Sequence, residues 1–271
     1  MKVLCIYHHN CADGFGAAWV VRKFLGDVEF HPGRYGDAPP DVTGRQVIMV
    51  DFSYKREVLE QMAAKAENIT ILDHHQSAEQ DLAEPLPDNV HAVFDMNHSG
   101  AMIAWKYFSY EEPPKLLQHI EDRDLWRFQL EGTREIQAAL FSYPYDFELW
   151  DRLIAADVDE LYCDGVAITR KHMKDIHELI AAAGSRATIG GHDVPILNAP
   201  YFYSSEAGHI MAQGEHFAAC YYDTATHRVF SLRSADDGLD VAELAARFGG
   251  GGHKHAAGFR IPIGENYAWP K

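Results

Sequence analysis

Residues 46–51 (QVIMVD) and 69–75 (ITILDHH) decide how this chain is read. Each is a short apolar run, rich in β-branched residues, that stops at an aspartate. Runs of four or five such residues are too short for helices and match strands buried on both faces. Upstream, residues 3–7 (VLCIY) have the same form and lead into His8, His9 and Asp13. Downstream, residues 91–94 form a weaker version ending at Asp95. Helical patterns fill the intervals at 14–24, 55–66 and 99–108. Strands alternating with helices predict a parallel-sheet α/β domain.

Farther along, residues 113–147 are mostly helical in pattern, and 158–183 read as one long helix. The Gly190-Gly191 pair then interrupts the chain, and the pattern changes. Residues 194–197, 217–222 and 228–233 look like strands and 241–248 like a helix. The expected organisation is a parallel-sheet N-terminal domain over 1–157, a linking helix over 158–190, and a smaller mixed α/β domain over 191–271.

Composition narrows the function. With 47% hydrophobic and 24% charged residues, the 271-residue chain is neither fibrous nor wholly disordered. No run of about 20 apolar residues is present to span a membrane, and the N-terminus lacks a secretory signal, so a cytoplasmic protein is expected. Four scattered cysteines without a C-x-x-C pair read as reduced thiols. The formal net charge is -16, most of it before residue 196, because 196–271 hold six basic and eight acidic residues. Such a field repels long duplex nucleic acid, whose binding rests on cationic side chains. Either the substrate is short, or cations stand between carboxylate and phosphate.

The polar residues behind the strands carry the chemistry. His9 and Asp13 follow the first strand, Asp51 the second, and Asp73-His74-His75 the third. In an open parallel sheet the loops beyond the strands' carboxyl ends line one crevice, so these residues converge. Imidazole with carboxylate suits divalent Mn, Zn, Fe or Mg. A plain helix N-cap is the competing reading for Asp51 alone. Near the C-terminus, FGGGGHKHAAGF (248–259) sets four glycines beside His253, Lys254 and His255. A helix cap needs one glycine, and four leave backbone N–H groups able to face an anion.

Taken in order, these motifs resemble the DHH phosphoesterase superfamily: Asp73-His74-His75 matches its signature, and GGGH-x-x-AAGF matches its DHH-associated C-terminal domain. The resemblance covers nearly the whole chain. It implies a catalytic domain holding a pair of Mn or Mg ions that activate water against phosphorus, and a substrate-binding domain across a cleft. His9 and Asp13 would hold one ion, Asp51 would bridge, and His74 would hold the second with an acid from 121–126 (EDRDLW). Asp122 is favoured for that place and Asp124 is the alternate. His75 would contact the scissile phosphate and assist proton transfer, with Asp73 orienting the histidines. Gly251, Gly252 and His253 would grip a substrate phosphate, with Arg233 as a second anchor or merely a surface arginine. One departure stands out: Cys11 and Phe15 occupy the places where the family supplies another aspartate. Phe15 cannot bind a metal, and Cys11 is either a thiolate ligand or a small packing residue.

The expected activity is metal-dependent hydrolysis of phosphodiester bonds in short oligonucleotides or small nucleotides. A pyrophosphate or polyphosphate hydrolase and a non-catalytic nucleotide-binding regulator are the alternatives. A homodimer is compatible with the sequence but not required by it.

Overall fold

The computed structural model describes residues 2–263. The chain is mixed α/β and divides into two units between Thr169 and Arg170. In the first unit the elements run β1 (Val3–His8), α1 (Ala12–Leu25), β2 (Val28–Gly33), β3 (Gln46–Val50), α2 (Arg56–Ala63), β4 (Asn68–Asp73), α3 (Gln76–Asp81), β5 (Val90–Phe94), α4 (Gly100–Phe108), α5 (Lys115–Asp124), α6 (Thr133–Leu140) and α7 (Phe147–Ala155). The five strands are all parallel, in the order β2-β1-β3-β4-β5. The order reverses between β1 and β3, so the loops leaving those two strands diverge and open a crevice at their carboxyl ends.

Two cores sandwich the sheet. On one side α1, α4, α5 and α7 pack through Phe15, Val20, Trp105, Leu117 and Trp150. On the other, Leu59 and Met62 of α2 pack with Leu4, Ile6, Met49, Phe52 and Ile71. Residues 12–21 of α1 are buried without a break, which explains the run AAWVV there: a helix covered on every side has no polar stripe. β2 was not legible as a strand, because Glu29, His31 and Pro32 interrupt its apolar residues. It sits at the sheet edge, where proline's missing N–H costs no ladder bond.

Helix α8 (Val158–Ala183) carries the chain past the division into the second unit. There follow β6 (Ser185–Ile189), β7 (His192–Asn198), a single 3-10 turn (Tyr201–Tyr203), α9 (Ser204–Met211), β8 (Ala218–Asp223), β9 (His227–Arg233), α10 (Val241–Ala246), β10 (Gly251–His253) and β11 (Ala256–Pro262). Residues 185–189, expected within the link, instead pair with β7 as the edge of a six-stranded sheet in the order β10-β11-β9-β8-β7-β6. Only β7 and β8 are parallel partners in it. One face is covered by Val241, Leu244 and Ala245 of α10, and the other by Ala207 of α9 with Ile176 of α8.

The glycine segment is not an open loop. Gly251, Gly252 and His253 form β10, antiparallel to Ala256–Gly258. A Cβ at Gly250 would lie 2.0 Å from the Gly258 carbonyl oxygen. Gly249, with φ 76°, closes the end of α10, its N–H and that of Gly250 donating to the Ala246 and Ala245 carbonyls at 3.0 and 2.9 Å, and the glycines after it let two backbones approach within a tight hairpin. No helix among the described residues is long and apolar enough to cross a membrane.

Candidate metal centre

Three carboxylates converge on one imidazole nitrogen. His74 Nε2 lies 3.1 Å from Asp51 Oδ1, 3.5 Å from Asp124 Oδ2 and 3.7 Å from Asp13 Oδ2. The donors come from the ends of β3 and β4, the first turn of α1, and the last residue of α5. Asp13, Asp51 and His74 are each no more than 2% exposed. His8, the last residue of β1, adds its Nδ1 at 3.4 Å from Asp51 Oδ2. Among the described residues, Asp13, Asp51 and His74 form one group able to hold an ion, and His8, Asp51 and His75 another. Asp51 belongs to both.

Backbone groups hold this set in place. Asp51 has φ 53°, a left-handed conformation that aspartate tolerates better than most residues. Asp13 is gripped by the start of α4: the N–H groups of Gly100 and Ala101 donate to its Oδ2 and Oδ1 at 2.5 and 2.9 Å. A helix N-terminus carries partial positive charge and stabilises a carboxylate there. The turn entering α4 is fixed in its turn by Glu121, whose Oε2 accepts from the Ser99 N–H at 3.0 Å and contacts His98 Nδ1 at 3.0 Å.

Charge crowding leaves its mark on the protonation of Asp13, Asp51, His74 and Asp124. Burial, reinforced by the charges of Asp51 and Asp124, raises the Asp13 carboxyl well above the usual range. Burial likewise raises Asp124, partly offset by His74. Burial works against a charged His74, but its bond to Asp51 and the three nearby carboxylates prevail and push it up to about 10. For Asp51, the hydrogen bond from His74 and the neighbouring His8 and His75 imidazoles overcome burial and hold it well below the carboxylate range. The donor set fits a divalent cation. A positive charge is what this group selects, imidazole and carboxylate suit such ions, and buried Asp51 Oδ2 has no hydrogen-bond partner.

Asp73 and His75 form a second arrangement beside it. Asp73 Oδ1 accepts from His75 Nδ1 at 2.7 Å and from the backbone N–H of His74 at 2.8 Å. This fixes the orientation of His75. Burial alone would lower the His75 pKa, and the charge and hydrogen bond of Asp73 raise it instead.

Two residues expected as ligands lie outside the cluster, and a close neighbour of each lies in it. Asp122 does not face the cluster: its carboxylate accepts from the N–H groups of Gln129 (2.8 Å) and Leu130 (3.1 Å) and from Thr133 Oγ1 (2.6 Å). Residues two apart on a helix point about 200° apart, so when Asp124 turns inward Asp122 must turn away. His9 also lies outside it, with its Nε2 accepting from Arg34 Nη2 at 2.6 Å, and His8 stands in its place. Adjacent residues leaving a strand project to opposite sides. We expect Asp124→Asn and His8→Ala each to weaken Mn²⁺ binding at least about tenfold, the loss seen even for residues that merely orient ligands. Asp122→Ala should instead lower stability by about 3 kcal/mol, as buried donors lose their acceptor. Calorimetric titration and urea unfolding separate these outcomes.

Sequence reading also missed Gly100 and Tyr35. The signal for the first was Ser99-Gly100-Ala101, an N-cap followed by two small residues at a helix start. The Tyr35 ring sits 5.4 Å from His8 and 6.1 Å from His75, and nothing in its sequence context marked it. Cys11 precedes α1, and among the described residues it joins none of the potential ion-holding groups. Phe15 stacks on Phe147 in the core. In the second unit, Arg233 donates to Ser205 Oγ at 2.9 Å and to the Leu232 carbonyl at 2.8 Å. Tyr201 is 54% exposed, whereas Tyr221 packs against the sheet core.

No family model matches the chain. A curated relative, uncharacterized protein R106 of Acanthamoeba polyphaga mimivirus, is 28% identical over 292 residues. The match covers 93% of this chain, which spans 66% of that relative's length. Among solved structures, an exopolyphosphatase-related protein from Bacteroides fragilis is 14% identical, with a TM-score of 0.49 over 96% of this chain and 86% of its own. The pGpG-specific phosphodiesterase PggH from Vibrio cholerae is 18% identical, with a TM-score of 0.52 over 97% of this chain and 94% of its own. At that identity the likeness to PggH shows a shared fold.

Proposed function

We propose that the chain is a metal-dependent phosphohydrolase acting on phosphodiester bonds of short oligonucleotides or small nucleotides. The observation that carries this reading is the convergence of Asp13, Asp51 and Asp124 on His74, with Asp51 shared between two ligand groups. Sharing one carboxylate between two sites suits a pair of divalent ions. Such ions supply Lewis-acid polarisation of the phosphoryl oxygens and a water acidic enough to attack near neutral pH. The DHH resemblance of the motifs and the fold shared with a phosphodiesterase support the same class.

The chain's own residues do the rest. His8, Asp13, Asp51, His74 and Asp124 hold the cations. His75, aligned and kept readily protonated by Asp73, donates a hydrogen bond to a nonbridging oxygen and passes a proton to the leaving oxygen as the P–O ester bond breaks. Gly251, Gly252 and His253 of the second unit, with Arg233, are the proposed contacts to a substrate phosphate. Mn²⁺ is the proposed native ion, the net charge of -16 favours short substrates over long duplexes, and the cytoplasm is the proposed location.

The test is a panel of 5′-phosphorylated dinucleotides, bis(4-nitrophenyl) phosphate, pyrophosphate and tripolyphosphate, run at fixed salt with Mn²⁺, Mg²⁺ and Zn²⁺ in turn. Release of mononucleotides supports the reading. Turnover confined to the phosphoanhydrides replaces it with a polyphosphatase, and metal binding without turnover of any substrate replaces it with a binding protein.

A further inference from the structure

The residues that follow Asp124 have an arrangement the metal chemistry does not use. Trp126 and Phe128 both adopt left-handed backbone conformations, with φ 56° and 48°. For bulky side chains this is costly, about 1–3 kcal/mol each, and persists only when the surroundings enforce it. Asp122 is the enforcing residue. Its carbonyl accepts from the N–H groups of Arg127 and Phe128 at 2.8 and 3.2 Å, and its carboxylate takes the next two N–H groups. Among the described residues, the positive-φ positions other than glycine are Asn10, Asp51, Trp126 and Phe128, so this strain gathers around the metal-site segments.

What the strained turn presents is a cationic aromatic stack. The Arg134 guanidinium carbon lies 3.5 Å from the Phe128 ring centroid and 5.8 Å from that of Trp126. Arg123 lies over Trp126 at 5.7 Å and over Phe141 at 4.5 Å. The Trp126 and Phe128 rings meet edge to face at 4.9 Å. Arg134 is exposed, and among the described residues no carboxylate lies within ion-pairing distance of its guanidinium. Three residues separate Phe128 from Asp124, so the two are at most about 14 Å of extended chain apart.

We propose that Arg134, pinned on Phe128, is a nucleobase-stacking residue that receives the base of the nucleotide adjoining the scissile bond. This rests on the phosphodiesterase reading and adds to it a preference for base-bearing substrates. One face of the guanidinium lies against Phe128, and the outer face offers the planar surface on which bases stack in single-stranded recognition. Its charge also suits the phosphate attached to that base.

The test compares calorimetric binding of adenosine 5′-monophosphate and ribose 5-phosphate to the full chain equilibrated with Mn²⁺. The parent should bind the nucleotide at least about fivefold more tightly than the sugar phosphate, the low end of what one stacked base contributes. Arg134→Gln, which keeps length and removes the cationic plane, should erase most of that advantage. Phe128→Leu, which keeps the apolar volume under Arg134, should reduce it in the same direction. Equal weakening of both ligands by Arg134→Gln makes the residue a phosphate anchor and overturns the proposal, as does a parent that binds the two alike. Melting temperatures of the variants within about 3 °C of the parent exclude a purely structural cause. If the parent shows the base preference yet cleaves no phosphodiester, the function reading fails while the stacking site stands.

Discussion

Asp51→Asn lowers Mn²⁺-dependent turnover by at least about 10³-fold, a loss of about 4 kcal/mol of transition-state stabilisation, and weakens Mn²⁺ binding with it. The substitution is close to isosteric, and asparagine is among the residues that best accept the φ of 53° found here. The backbone therefore has no reason to move, and the effect isolates the charge. That charge is the one shared by two ligand groups, so both ion positions lose a donor at once. Stability should fall as well. Removing the Asp51 charge relieves its repulsion of Asp13 and Asp124 but takes the anion away from His74 and His8, and a carboxyl held well below its usual range marks the charge as net stabilising. The melting temperature of the metal-free protein should drop together with activity. Turnover within tenfold of the parent, with ion binding intact, would remove Asp51 from the centre.

Gly100→Ala is the second large effect, and its sign runs against helix propensity. Alanine is favoured over glycine inside a helix by about 1 kcal/mol, so in open space this change would stabilise α4. Here the new Cβ would lie 2.5 Å from Asp51 Cβ, 2.9 Å from its Cα and 3.0 Å from Asp13 Oδ2. Two of those atoms belong to a residue whose backbone is already left-handed, so neither yields cheaply. Overpacking of this kind costs about 1–3 kcal/mol, which outweighs the propensity gain. Ligand displacement by about 1 Å costs on the order of 10²-fold in rate. We expect a melting temperature lower by several degrees and Mn²⁺ binding at least tenfold weaker. An unchanged Mn²⁺ affinity would mean that the start of α4 does not set the position of Asp13.

The same glycine shows how the site depends on parts far apart in sequence. Gly100 and Ala101 are 87 and 88 residues from the Asp13 carboxylate they hold. No local pattern around either one announces that partnership. The strand-final motifs were different. QVIMVD and ITILDHH declared their strands, their burial on both faces and the chemistry behind them, because apolar run length and the residue that ends it are local properties. β2 and β6 escaped notice because edge strands need only half the apolar pattern of central ones. The glycine run at 249–252 declared an unusual backbone but not its form, since close approach and a turned loop both call for glycine.

What the sequence determined by itself was the parallel α/β sheet, the order of the motifs and the gathering of Asp13, Asp51 and His74, because parallel strands bring their carboxyl ends to one edge whatever else the chain does. Only the tertiary structure showed that His8 and Asp124, rather than His9 and Asp122, lie beside that cluster. A motif fixes residue types within a position or two, while facing is a matter of phase. Neighbours leaving a strand point to opposite sides, and residues two apart on a helix differ by about 200°. That phase is set by how β1 and α5 pack against the rest of the unit.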